Sequence, residues 1–306
     1  MIKNIGIYEN LVAQLERTAR HNKQCSYKTR TRYFEAMKRF CAFLADEYRL
    51  QKLSNISAKH IESYVEYMQK KGLSAATVKV ELTAIRFIFD QMPNTRHTLP
   101  GNDELNLEKR QFGGVDRTCT AGEFNRMIAL CWKLGREDYA VIITIAYYAA
   151  LRIEEVFRLD RSQAETAIKT GILTFKGKNG LVRSVPIQES IRIELEKMLE
   201  VTTRGSKLFV AENNKTHLAK KRLQNFIDYH RSKIQDEDST RPMTYHGLRH
   251  TAAARWYEVF RKQGCSDYSA RLQVSKFLGH HRDDITRLYL VGVKGDEAKG
   301  RDDYEE

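Results

Sequence analysis

The segment that most constrains the fold is Glu137–Ala150, which reads as a helix apolar on nearly every face. A helix without a polar side belongs at the centre of a core, so other elements must wrap round it. It is too short to span a bilayer, and the most apolar run in the chain, Tyr139–Leu151, is no longer. Directly after it comes Ala150-Leu151-Arg152-Ile153-Glu154-Glu155-Val156. An arginine next to a buried helix is costly unless it is paired or binds an anion. Glu155 could supply the pair, so a buried Arg–Glu strut and an anion site both stay open on local grounds.

Before this segment, residues 1–92 read as four helices. Ile7, Leu11, Val12 and Leu15 mark the first. Tyr33, Met37, Phe40 and Leu44 mark the second, between about Ser26 and Tyr48, with Lys28, Arg30, Arg32, Lys38 and Arg39 mostly on other faces. The third opens at Ser57 and stops at Gly72, and the fourth opens at Ser74 and ends before Pro93. Residues 93–117 hold two of the four prolines and no periodic pattern, and are expected to be a linker.

After the linker, Thr120-Ala121-Gly122-Glu123 is a capping box for a helix through Trp132. Beyond the central helix, Ile172–Phe175 and Leu181–Val185 are expected to pair as a hairpin turning at Lys178-Asn179-Gly180. A helix over 189–200 should follow, then a short strand at Leu208–Val210 and a basic helix from about His217 to Lys233. Met243–Thr251 opens a long helix to about Lys262, on which His246 and Arg249 share a face. A further helix covers Ser269–Leu278, and then comes Gly279-His280, a short helix and Tyr289. The domains expected are 1–92 and 118–290, with a polar tail over 291–306. No internal repeat or low-complexity segment appears.

Lys and Arg number 52 against 39 Asp and Glu, a formal charge of +13. Residues 1–115 carry 19 basic and 12 acidic groups and residues 116–290 carry 30 and 21, so both domains are basic. That excess favours a polyanion, nucleic acid before membrane, and suits a protein that grips a duplex from two sides. Cys25, Cys41, Cys119, Cys131 and Cys265 are scattered and form no CxxC pair. They argue for a reducing compartment and against a zinc site or disulfide frame. With no signal-peptide pattern at the start, a cytoplasmic protein without membrane partners is expected.

The second half presents, in order, Arg152, Lys178, His246, Arg249, His280 and Tyr289. This set resembles the tyrosine recombinase (phage integrase) family, in its simple two-domain, Xer-like or integrase form. ALRIEEV is similar to the family's GLRxxE segment, HGLRHTAAARW to its HxLRHTxA helix, and FLGHHRDDITRLY to its LLGH…TxxxY ending. Tyr289 stands nine positions after His280, the spacing of the family's ending, and Lys178 stands eight before Pro186, as the family's hairpin pattern asks. The same register puts Arg183 on the family's basic strand residue. His250 and His281 lie beside the assigned His246 and His280, and motif register favours the assigned pair.

The resemblance implies a mainly α fold with a small β component. A helical core-binding (SAM-like) domain and an α+β catalytic domain would form a C-shaped clamp on double-stranded DNA. It implies a site-specific recombinase, acting in integration, excision or resolution on mobile-element or nucleoid DNA, as a homotetramer on paired sites. Tyr289 would be the nucleophile of a 3′-phosphotyrosyl link. Arg152 and Arg249 would clamp the phosphate, Lys178 would protonate the leaving oxygen, and His246 would assist proton removal. His280 would hydrogen-bond a phosphate oxygen, and Glu155 would orient the cluster. The chemistry fits these types: a tyrosine hydroxyl, with a pKa near 10 when free, needs cations around it, and a guanidinium grips two phosphate oxygens. No ATP, metal or other cofactor is implied, in keeping with a sequence that has no P-loop and no carboxylate cluster. The polar tail departs from the apolar tail helix that exchanges between protomers in the family. A type IB topoisomerase, with a similar Arg/Lys/His/Tyr set, and a catalytically silent DNA-binding architectural protein are the alternatives.

Overall fold

The computed structural model describes residues 2–20, 24–109, 115–177, 180–239, 241–280 and 282–293. The chain divides into two compact units, Met1–Phe112 and Gly113–Glu306.

In the first unit the helices are α1 (Ile5–Arg20), α2 (Tyr27–Phe43), α3 (Ala58–Lys70) and α4 (Ala75–Phe89). Ser26 and Ser74 cap α2 and α4, and Ser57 with His60 forms a capping box for α3. Helix α2 runs on into a π-helical turn, Leu44–Tyr48, which Arg49 ends in the left-handed region. Leu11, Leu15, Met37, Phe40, Ile61, Leu82 and Ile85 fill the core at the spacing the sequence shows. Arg39 of α2 forks onto the buried Glu81 of α4, with Nε to Oε2 at 3.1 Å. Leu99, Leu105 and Leu107 pack on this core, so the first part of the proline-bearing stretch belongs to the first unit.

In the second unit α5 (Ala121–Lys133) opens on the Thr120–Glu123 capping box. Helix α6 (Glu137–Ala149) is buried along almost its whole length and stands at the centre of the larger core. Then follow α7 (Ile153–Val156), α8 (Arg161–Thr170) and the antiparallel pair β1 (Ile172–Lys176) and β2 (Val182–Pro186). Leu173 and Phe175 turn inward from β1, Arg183 and Val185 from β2, and Phe175 lies opposite Arg183. Helix α9 (Glu189–Val201) packs on α6 and α8. The rest is α10 (Thr216–Tyr229), α11 (Arg231–Ile234), α12 (Tyr245–Lys262), α13 (Asp267–Leu278) and α14 (Asp283–Tyr289). Helices α12, α13 and α14 close over a second apolar cluster that includes Ala252, Tyr257, Val274, Leu278 and Leu290.

Three expectations change. Helix α8 is an addition, opened by an Asp160–Gln163 capping box. No strand forms at Leu208–Val210: the backbone makes a single bridge, Asp160 to Lys207, and then turns, while the three side chains still enter the core. The basic helix breaks at His230 into α10 and α11. Among the described residues no helix is long and apolar enough to cross a membrane.

Candidate active site

The site is built where α6 stops. Ala150 caps that helix with φ at 55°, a left-handed conformation that costs a residue with a Cβ about 1–2 kcal/mol. The turn leaves the Ala150 carbonyl among the carbonyls that a helix end cannot satisfy internally. Two guanidiniums meet it: Arg249 Nη1 donates to it in a short contact, and Arg183 Nη2 donates at 3.4 Å. The end of α13 repeats the arrangement, with Arg183 Nη1 donating to Phe277 O and Arg249 Nη2 donating to Leu278 O at 2.7 Å. Cations at the negative ends of helices are favoured, and here two helix ends share one pair of arginines.

Glu155 neutralises the cluster from within. Its carboxylate is 2% exposed and accepts from the Arg152 backbone N–H at 2.7 Å and from Arg152 Nη1 at 2.8 Å. It also accepts from Arg183 Nη2 at 2.7 Å and lies 3.9 Å from Arg249 Nη1. Burial alone would raise this carboxyl, but the Arg183 charge, the Arg152 N–H and Arg249 outweigh it and hold it below the usual carboxylate range. Arg183 is 8% exposed, and burial followed by the Arg249 charge pushes it down to about 10. Burial likewise lowers Arg249, which has no exposed surface. Arg152 keeps about a third of its side chain open to solvent.

Tyr289, the last residue of α14, is 9% exposed, and Arg249 Nε donates to its hydroxyl at 3.4 Å. Three histidine rings surround it: His250 at 4.4 Å, His246 at 5.7 Å and His280 at 5.8 Å between centroids. His280 follows Gly279 and is held by its backbone N–H to Ser275 O and by Ser275 Oγ at Nδ1, both 3.3 Å. His246 lies on an exposed edge of α12. Desolvation of its inner side, then the charges of Arg249, Arg117 and Arg152, push its pKa down, so the imidazole is neutral at pH 7.

Arg152, Glu155, His246, Arg249, His280 and Tyr289 are thus brought together from the start of α7, from α12, from the turn after α13 and from α14. Lys178 and His281 lie outside the described residues. The strut and the anion site are not exclusive, since Glu155 takes up part of the arginine charge and Arg152 stays open. Arg183 joins the cluster more closely than its motif position alone suggested. Gly279 was also legible, as a glycine just past a helix end. Among the described residues no group of three or more His, Cys, Asp or Glu is placed to hold a metal.

Residues 117–292 match the phage integrase family, and residues 8–97 match its N-terminal domain. A tyrosine recombinase XerC from Natranaerobius thermophilus is 21% identical, over 87% of this chain and 89% of its own. A tyrosine recombinase XerS from Streptococcus thermophilus is 24% identical, over 90% and 89%. The crystal structure of a lambda integrase tetramer bound to a Holliday junction superposes with a TM-score of 0.62 at 16% identity, covering 94% of this chain and 79% of that one. XerH bound to its difH substrate gives 0.58 at 18%, covering 91% and 81%. At these identities the superpositions show a shared fold.

Two stability predictions follow from the geometry. Gly279 has φ at +70°, and a Cβ there would lie 2.8 Å from Arg183 Cδ. Gly279→Ala should therefore lower stability by about 1–3 kcal/mol in urea unfolding, from left-handed strain plus the displaced arginine. An unchanged midpoint would contradict the close approach. The second concerns His250, 6% exposed and pushed down to about 3, mainly by burial. Its folded value is below the free value near 6.5, so the unfolded chain takes up the proton first as pH falls. Stability is then lost from about pH 6.5 down towards 3. Between pH 7 and 5 the His250 contribution is about 2 kcal/mol, so His250→Phe should show a shallower acid loss in urea midpoint than the wild type. Equal slopes would contradict a buried neutral imidazole.

Proposed function

The chain belongs to the phage integrase family and is a tyrosine-type site-specific recombinase, and we propose that it cuts and rejoins double-stranded DNA through Tyr289. The observation that carries the reading is the Arg249 contact to the Tyr289 hydroxyl, inside a cluster of arginines balanced by one carboxylate. The hydroxyl oxygen attacks a DNA phosphorus, the bond to the 5′-oxygen breaks, and a 3′-phosphotyrosyl link and a free 5′-hydroxyl result. A 5′-hydroxyl from the partner strand attacks that link and frees the tyrosine. One phosphoester replaces another, so the scheme calls for no ATP.

Each side chain has a role that its surroundings support. Arg249 has five N–H groups, and its contacts to Tyr289, Ala150 and Leu278 engage one on each nitrogen, which leaves two for phosphate oxygens. Arg152 offers an accessible guanidinium for the second grip. His246, neutral and on an exposed edge, takes the phenol proton. His280 hydrogen-bonds a phosphate oxygen beside the ring. Lys178, assigned by its place in the hairpin motif, gives a proton to the leaving 5′-oxygen. Glu155 touches no substrate and keeps the guanidiniums in register.

The reading extends to a homotetramer on paired sites, as the family resemblance implies, acting on nucleoid DNA in the cytoplasm. Both units are basic, so DNA affinity should fall steeply with salt. On a nicked suicide duplex the wild type should accumulate a covalent protein–DNA adduct, equally well in EDTA. Tyr289→Phe should form none, while its DNA affinity stays within about threefold, because one hydroxyl contact is lost and no charge is removed. An adduct in that variant would overturn the assignment. Relaxation of plasmid without exchange between paired sites would mark a topoisomerase instead.

A further inference from the structure

His250 has no part in the scheme above, yet among the described residues its ring is nearer to Tyr289 than any other histidine. The two rings are 4.4 Å apart and 30° from parallel, against 5.7 Å and 62° for His246. The imidazole also faces the Tyr289 main-chain carbonyl. That carbonyl closes α14, so it is one that the helix itself cannot satisfy. A helix of seven residues has little stability of its own and keeps its place through packing. Its first turn is tied down where Asp283 accepts from Arg271 at 2.8 Å, and Thr286 bonds Arg282 O at 3.0 Å. At the tyrosine end, α12 supplies the Arg249 contact to the hydroxyl and the His250 contacts to the ring face and the main chain.

We propose that His250 is a positioning residue for the nucleophile: it fixes the ring plane and the main chain of Tyr289, so that the hydroxyl stays at Arg249 while the phosphate is attacked. The proposal rests on the reading of Tyr289 as nucleophile. The groups that face His250 include Tyr289, His246, Arg249 and Arg117, and burial with these cations holds its imidazole neutral at pH 7. A neutral buried ring is neither a cation for the phosphate nor a proton donor to the leaving group. Its contribution is geometric, and displacement of a reacting atom by about 1 Å costs about 100-fold in rate.

The test is single-turnover cleavage of a suicide duplex by the full chain, with DNA affinity measured alongside. His250→Ala should cleave about 100-fold more slowly with DNA affinity little changed. His250→Phe keeps the ring face and the volume, and His250→Asn keeps a donor for the carbonyl, so each should recover part of the rate. A duplex whose leaving 5′-oxygen is replaced by sulfur, which departs without a proton, should not restore His250→Ala. Cleavage by His250→Ala and His250→Phe within twofold of wild type would overturn the proposal. So would full restoration on the sulfur substrate, which would make His250 an acid. A wild type that forms no adduct at Tyr289 would overturn both this inference and the reading beneath it.

Discussion

The Glu155 carboxylate is the interaction on which the site depends. Arg152, Arg183 and Arg249 come from the α6–α7 turn, β2 and α12, and their charges would repel one another without a counter-ion. A buried ion pair gives little net stability, because desolvation consumes much of the Coulomb gain. Removing one partner is different, and costs about 3–5 kcal/mol by stranding the other charge. What Glu155 supplies is therefore register more than stability. It fixes three elements to one point and leaves Arg152 facing outward.

The arginines pass that register on to Tyr289. Arg183 and Arg249 reach the carbonyls of Phe277 and Leu278, the last residues of α13, so the turn that carries His280 is set relative to the hairpin and α12. Gly279 makes this possible, since a side chain there would meet Arg183. Past the turn, α14 brings Tyr289 back onto Arg249 and His250. The chain of contacts runs from one carboxylate, through two guanidiniums and two helix ends, to one hydroxyl.

Much of this was legible in the sequence because the signals were local. Apolar periodicity marked α1–α4, capping residues marked where α3, α4 and α5 begin, and the alternation around Lys178-Asn179-Gly180 marked the hairpin strands. Spacing within three short segments marked the residues that gather round Tyr289. What escaped was set by tertiary context. Leu208–Val210 is apolar because it faces the core, and the chain there turns instead of pairing. Helix α8 carries a capping box but only a narrow apolar stripe. Arg39 is an exposed cation, as its place on the helix implies, but its fork onto Glu81, on another helix, has no local signal. The place of His250 depends on Tyr289, in another helix further along the chain, which no local pattern encodes.

We propose that this contact chain prepares one hydroxyl for attack on a phosphodiester. The most direct test is to trap the wild-type adduct on a suicide duplex, digest protein and DNA, and sequence the nucleotide-bearing peptide by mass spectrometry. The account predicts a 3′-phosphonucleotide on Tyr289 and on no other residue. Attachment to another tyrosine or to a serine, or through a 5′-phosphate, would contradict it.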